Sequence, residues 1–169
     1  MTTPECHWQR WYDAHEAQLL LYARQWLPER ADAEDAVQAG FVRFWRARPT
    51  PDAADLPLLF TAVRTAALDL AKSRRRRVGR EQRAAGDTAT AWWDGDTLAV
   101  RERSAAVTQA ISGLPPEQRE VIVLRIWGGL TFADTARTLD TSINTVAARY
   151  RAALAKLRHL LPEVCHEPD

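Results

Sequence analysis

Three groups of residues in this chain carry usable chemistry, and all three suit binding better than bond-making. The first is a run of cations, Arg74, Arg75, Arg76 and Arg77, with Arg64, Lys72, Arg80 and Arg83 close by. Guanidinium and ammonium groups at this density neutralise the phosphates of a nucleic acid. They also complement a helix C-terminus and can simply be solvated. The second is an acidic cluster, Glu29, Asp32, Glu34 and Asp35, followed by Gln38. Its carboxylates and amide can pair with Arg and Lys of a partner helix. The same residues also favour a helix N-terminus, where Asp32 is expected to cap. The third is Ser142–Arg151, SINTVAARYR. It sets hydroxyl, amide and guanidinium groups at the start of a helix, where they can reach base edges and phosphates.

Catalytic constellations are missing from the sequence. There is no Gly-rich phosphate loop, no metal-spaced His/Asp set and no nucleophile–base signature, so an enzyme is the least favoured class. The two cysteines, Cys6 and Cys165, lie near the termini and are each followed by histidine. Neither pair has the spacing of a zinc module, and they are expected on frayed ends without a disulfide. No metal and no cofactor are expected.

The elements that must position these groups read as helices throughout. Pro and Gly divide the chain into a first helix over about 5–27, a second over 32–48 and a third over 57–77, with TPDAADLP as the loop before the third. Val37, Phe41, Phe44 and Trp45 form one apolar stripe, and Leu59, Val63, Ala66 and Leu70 another. Residues 79–96 turn small and polar and read as a linker, and a further helix over about 97–112 opens a second domain. The fold class is therefore all-α, two small helical domains joined by a flexible linker: 1–78, linker 79–96, and 97–169. Lys and Arg total 23 against 22 Asp and Glu, a net charge of +1, so the basic and acidic segments are informative and the total is not.

Leu114–Arg158 carries the sharpest local signals. Pro116 suits the first turn of a helix, Val121, Ile122, Leu124, Arg125 and Ile126 continue it, and Gly128-Gly129 ends it. Thr131 with Asp134 resembles a capping box for a short helix ending near Leu139. Ser142 then caps a last helix that runs until Pro162, with Val146, Tyr150, Leu154, Leu157 and Leu161 facing the core. Thr145, Ala148, Arg149, Ala152 and Lys156 fall on the other faces. This is the helix-turn-helix pattern, which places the second helix in the DNA major groove. A helical hairpin with a solvated basic face would show the same periodicity.

These segments together resemble bacterial sigma factors, specifically the compact two-domain extracytoplasmic-function group. The resemblance rests on Asp32–Trp45, on Leu59–Arg77 with its LFT start and basic end, and on Leu114–Arg158, LPPEQRE through RAALAKLR. It implies a protein that binds core RNA polymerase and promoter DNA. Asp35, Gln38, Ala39 and Val42 would dock on the coiled coil of the largest polymerase subunit. Arg64, Thr65, Lys72 and Arg74–Arg77 would engage the minus-ten region, where an extruded base needs a pocket and its backbone needs positive charge. Ser142, Asn144, Thr145, Ala148, Arg149 and Arg151 would meet the minus-thirty-five element.

The chain departs from the group's pattern at three places. Ala39 stands where a glutamate is usual, Thr65-Ala66 replaces an asparagine-arginine pair, and Ala147, Ala148 and Ala152 replace basic or hydroxyl residues in the last helix. Thr135 stands where a buried aliphatic is common, implying looser packing. The runner-up reading is a sigma-like DNA-binding regulator that does not itself initiate transcription. An anti-sigma partner, a cytoplasmic location and a monomeric free state are further expectations, and no apolar run is long enough to cross a membrane. Trp92-Trp93 is expected to find a surface, on this chain, on polymerase or on template bases.

Overall fold

A computed structural model describes residues 4–81 and 106–161, with side chains described for 8–77 and 106–161. The chain divides into two units, Met1–Ala85 and Gly86–Asp169. Among the described residues all regular structure is helical, and no helix is long and apolar enough to cross a membrane. Cys6, His7, Trp92, Trp93, Cys165 and His166 lie outside the residues whose side chains are described, as do the expectations attached to them.

The first unit contains α1 (Pro4–Ala23), α2 (Arg30–Ala47), a 3₁₀ turn at Ala53–Asp55, and α3 (Leu56–Glu81). α1 ends before Pro28, at Ala23, instead of running to Leu27. The amides of Gln25 and Trp26 bond back to Tyr22 and Ala23, a tightened last turn that keeps Leu27 buried. Within the stretch expected to be loop, Asp52 caps the 3₁₀ turn, accepting from the Ala54 amide at 2.7 Å, while Asp55 accepts from the Asp52 amide. α3 passes residue 78 and reaches Glu81, so the expected linker boundary at 79 falls inside a helix. Four arginines are good helix formers, and a single Gly79 costs only about 1 kcal/mol.

Leu19, Tyr22 and Leu27 are buried, as are Ala36, Val37 and Phe44 of α2 and Leu59, Phe60, Val63 and Ala67 of α3, and Tyr22 meets Phe60 edge-on at 5.3 Å. Each of the leucines, valines and phenylalanines contributes on the order of 1.5–3 kcal/mol by leaving water. α1 adds an aromatic cluster that the sequence did not single out. Trp11 stacks on Phe44 at 5.3 Å, Trp8 meets Phe41 edge-on at 5.4 Å, and the Trp8 indole donates to the Pro49 carbonyl at 2.9 Å. α2 and α3 come close at Gly40, where a Cβ would lie 2.6 Å from the Val63 Cα.

In the second unit a helix, α4, covers 106–112; α5 (Pro116–Ile122) widens into a π turn over Val123–Trp127, and α6 (Phe132–Thr138) and α7 (Ile143–Leu160) follow. Pro116 takes the first helical position. The π turn closes with the Gly128 amide bonding to Val123 at 2.9 Å, and Gly129 follows at φ 65°. This turn delays the register by one residue. Trp127, not Ile126, packs on Ile122, and Ile126 is left exposed instead of on the apolar face.

Arg125, read from sequence as part of that face, turns inward. It donates to the Leu130 carbonyl and lies 4.3 Å over the Phe132 ring. Thr131 and Asp134 form the expected capping box, and the Ser142 hydroxyl accepts from the Thr145 amide at 3.0 Å. Thr135 is fully buried and satisfied, its hydroxyl donating to the Thr131 carbonyl at 2.8 Å, so its polarity leaves no gap. Leu161 closes α7 as its C-cap and is only partly buried.

Candidate functional site

Each unit presents a polar face built on a helix whose opposite side is core. On α2, Ala36, Val37, Gly40 and Phe44 are buried. Asp35, Gln38, Ala39 and Val42 all emerge on the outer side. Trp45 continues that row at helical spacing and is 52 % exposed. The sequence had placed Trp45 in the core stripe. Its exposure follows from the phase of α2, which places it beside Gln38 and Val42 and away from the buried row Ala33, Val37, Gly40 and Phe44.

Val42 and Trp45 join Trp8, Tyr12, Phe41 and Pro49 around a groove of about 620 Å³. The rim is acidic. Tyr12 donates to the Glu16 carboxylate at 3.1 Å, and its phenol is pushed up to about 12 by burial first, then by Glu16, with Glu34 and Asp13 adding to it. An apolar floor beside carboxylates suits a partner helix carrying both apolar and basic side chains.

Asp32 stands apart from that face. α2 starts at Arg30 with Glu29 as N-cap, so Asp32 lies inside the first turn and is not the cap. It is buried, and it binds Arg74 of α3. Arg74 is thus separated from the other arginines of its run. That separation is by the ion pair and not by burial: Arg74 is exposed, as are Thr65, Lys72, Arg75, Arg76 and Arg77, and Arg64 is partly so. The Thr65 hydroxyl donates to the Thr61 carbonyl at 2.9 Å, which leaves only its acceptor capacity for a base.

α7 carries the second face. Val146 and Ala153 are buried, which turns Asn144, Ala148 and Arg151 directly outward, while Thr145 and Arg149 sit half-buried on one flank. Ser142 is exposed, but its hydroxyl already serves the cap and lies 2.8 Å from the Thr145 hydroxyl. Ile143, passed over in the sequence, is 52 % exposed beside Asn144. An exposed aliphatic there can meet a thymine methyl, as can Ala148. Among the described residues no group of three or more His, Cys, Asp or Glu side chains could hold a metal.

Both units match known protein families. Residues 11–77 match the family model for sigma-70 region 2, and residues 104–157 that for sigma-70 region 4. The RNA polymerase sigma-E factor of Streptomyces avermitilis is 31% identical over 146 residues, covering 85% of this chain and 78% of the relative. The ECF RNA polymerase sigma factor SigK of Mycobacterium ulcerans is 28% identical over 134 residues, 76% of this chain and 72% of the relative. Among solved structures, CnrH in complex with the cytosolic domain of CnrY matches with a TM-score of 0.61 and 26% identity, covering 92% of this chain and 87% of CnrH. The sigma factor RpoE of Bartonella quintana, solved with the anti-sigma factor NepR, shares the fold with a TM-score of 0.67 at 20% identity, over 92% of this chain and 96% of that one.

Proposed function

The chain belongs to the sigma-70 family of bacterial RNA polymerase sigma factors, in its extracytoplasmic-function group, and from that membership we propose how its helices divide the labour of initiation. It directs core RNA polymerase to promoters, and sigma factors as a family are not enzymes. Asp35, Gln38, Ala39 and Val42 dock the first unit on core polymerase, and Trp45 extends that contact into the aromatic groove. Ala39 offers no charge, so in this chain apolar burial by Val42 and Trp45 takes over part of what a carboxylate would supply.

Arg64, Lys72, Arg75, Arg76 and Arg77 hold the minus-ten duplex through its phosphates, and Thr65 accepts one hydrogen bond from an extruded base. Asn144, Ala148 and Arg151, with Ile143, read the minus-thirty-five element, while Ser142, Thr145 and Arg149 hold its backbone. The observation that carries this division is the outward row Asp35–Gln38–Val42–Trp45 on α2, backed by a fully packed inner face. The protein acts in the cytoplasm, where its polymerase is, and is held in check by an anti-sigma factor, as the RpoE of Bartonella quintana is seen bound to one.

The test is capture of core polymerase by the purified protein, followed by run-off transcription on genomic promoter fragments. Trp45→Ala and Gln38→Ala are expected to weaken core binding roughly tenfold each, the loss typical of a buried anchor. Core binding unchanged in both variants would remove α2 from the docking role. Capture without transcripts would leave a sigma-like regulator that does not initiate.

A further inference from the structure

The four-arginine run looks uniform in sequence, but α3 sorts it. Phe60, Val63, Ala67 and Ala71 are the buried stripe of that helix. Arg74 is the next residue on the same stripe, three beyond Ala71. Its guanidinium can therefore reach back to the edge of the unit, although about half of the side chain (52 %) stays exposed. There it meets Asp32, whose side chain is 8% exposed. Lys72, Arg75 and Arg76 lie on the outward side together with Thr65.

We propose that Asp32 and Arg74 form a positioning pair that fixes the basic end of α3 against the start of α2, and that Arg74 itself does not contact promoter phosphate. The proposal rests on the reading of the basic run as a DNA contact. Within it, the pair does two things. It satisfies a carboxylate that would otherwise be buried alone. It also holds the last turns of a long helix in one orientation, so that Lys72, Arg75 and Arg76 present their charges as a fixed row. Asp32 lies one turn before Asp35, so the same contact ties the polymerase-docking helix to the DNA-holding one.

The experiment uses holoenzyme reconstituted with core polymerase and a promoter fragment recovered by run-off selection, with binding measured across a range of salt concentrations. Arg75→Ala and Arg76→Ala should each reduce the slope of log affinity against log salt by about one, because each removes a phosphate contact. Arg74→Ala should leave the slope unchanged while weakening binding roughly two- to tenfold, the cost of ordering released side chains on DNA. Arg74→Lys, which keeps the ion pair, should restore affinity.

Because Arg74→Ala strands a buried carboxylate, Asp32→Asn/Arg74→Gln serves as a second variant in which an amide pair replaces the ion pair. Its slope should also be unchanged. A fall of about one in slope for the Arg74 variants would overturn the proposal by showing a phosphate contact. So would unchanged promoter affinity in folded Arg74→Ala, since a role in stability alone moves only the melting temperature. If neither Arg75→Ala nor Arg76→Ala changes the slope, the DNA reading of the whole run fails instead.

Discussion

Gly40→Ala tests the packing that joins the two functional helices of the first unit. An added Cβ would lie 2.6 Å from Val63 Cα, 2.7 Å from its Cγ2 and 2.8 Å from its amide nitrogen. Ordinary contact begins near 3.4 Å, so α2 and α3 would have to separate by about 0.8 Å along most of their shared surface. A flexible side chain could swing away, but two of these three atoms are backbone. Overpacking of this kind costs about 1–3 kcal/mol, and an unyielding neighbour argues for the upper end. Replacing glycine by alanine in a helix returns about 1 kcal/mol. The net expectation is a destabilisation of about 2 kcal/mol, seen as a drop of roughly 8–16 °C in the melting of a unit this size. Calorimetry on the full chain, with guanidinium titration as a second probe, reads this directly. A variant as stable as the parent, or more so, would refute the close approach of α2 and α3 and with it the rigid coupling argued above.

Two further outcomes concern the second unit. Arg149→Ala should weaken DNA binding at all sequences and lower the salt slope by about one; an effect confined to one base position would assign Arg149 to readout instead. Hydrogen bonding from the Thr131 hydroxyl, then from Arg137, holds the Asp134 carboxyl below its usual 3.8. A depressed carboxylate contributes stability above its unfolded value and loses it as pH falls through the folded one, so the parent should lose stability below about pH 4 more steeply than Asp134→Asn in acid unfolding followed by circular dichroism.

Local signals in the sequence carried the second unit almost entirely. The Thr131–Asp134 box and Ser142 each satisfy a helix end within four residues, Pro116 removes an amide that would have gone unpaired, and such short-range chemistry is readable without the fold. The π turn was not readable, because Ile126 and Trp127 are equally apolar. Only the fit against Ile122 decides which of them is buried. Trp45 in the first unit was read wrongly for a similar reason: it is as apolar as Phe44, but Trp8 and Trp11 pack on Phe44 and the phase of α2 leaves Trp45 outside. Of the site residues on α2, Asp35, Gln38, Ala39 and Val42 were marked only by the family resemblance, and periodicity alone put Trp45 on the wrong side. That Arg74 differs from Arg75 was not legible either, since it depends on Asp32, 42 residues earlier.

The placement of these contacts has a mechanical consequence. A sigma factor must grip polymerase and hold melting DNA at once, and any slack between the two grips is lost as conformational entropy on the DNA side. In the first unit the two grips sit on adjacent helices. Gly40 on Val63 sets their spacing, and Asp32 with Arg74 sets the orientation of the basic end. Arg43 with Asp69, at 3.6 Å and with both side chains more than half exposed, adds little because water screens it. Beyond the apolar core that the two helices share, the coupling is sharpened by one steric contact and one ion pair with a buried carboxylate. This predicts an unequal tolerance along α2: its outer residues can change and alter only affinity for polymerase, whereas changes at Asp32 or Gly40 should impair DNA engagement even when polymerase binding is intact.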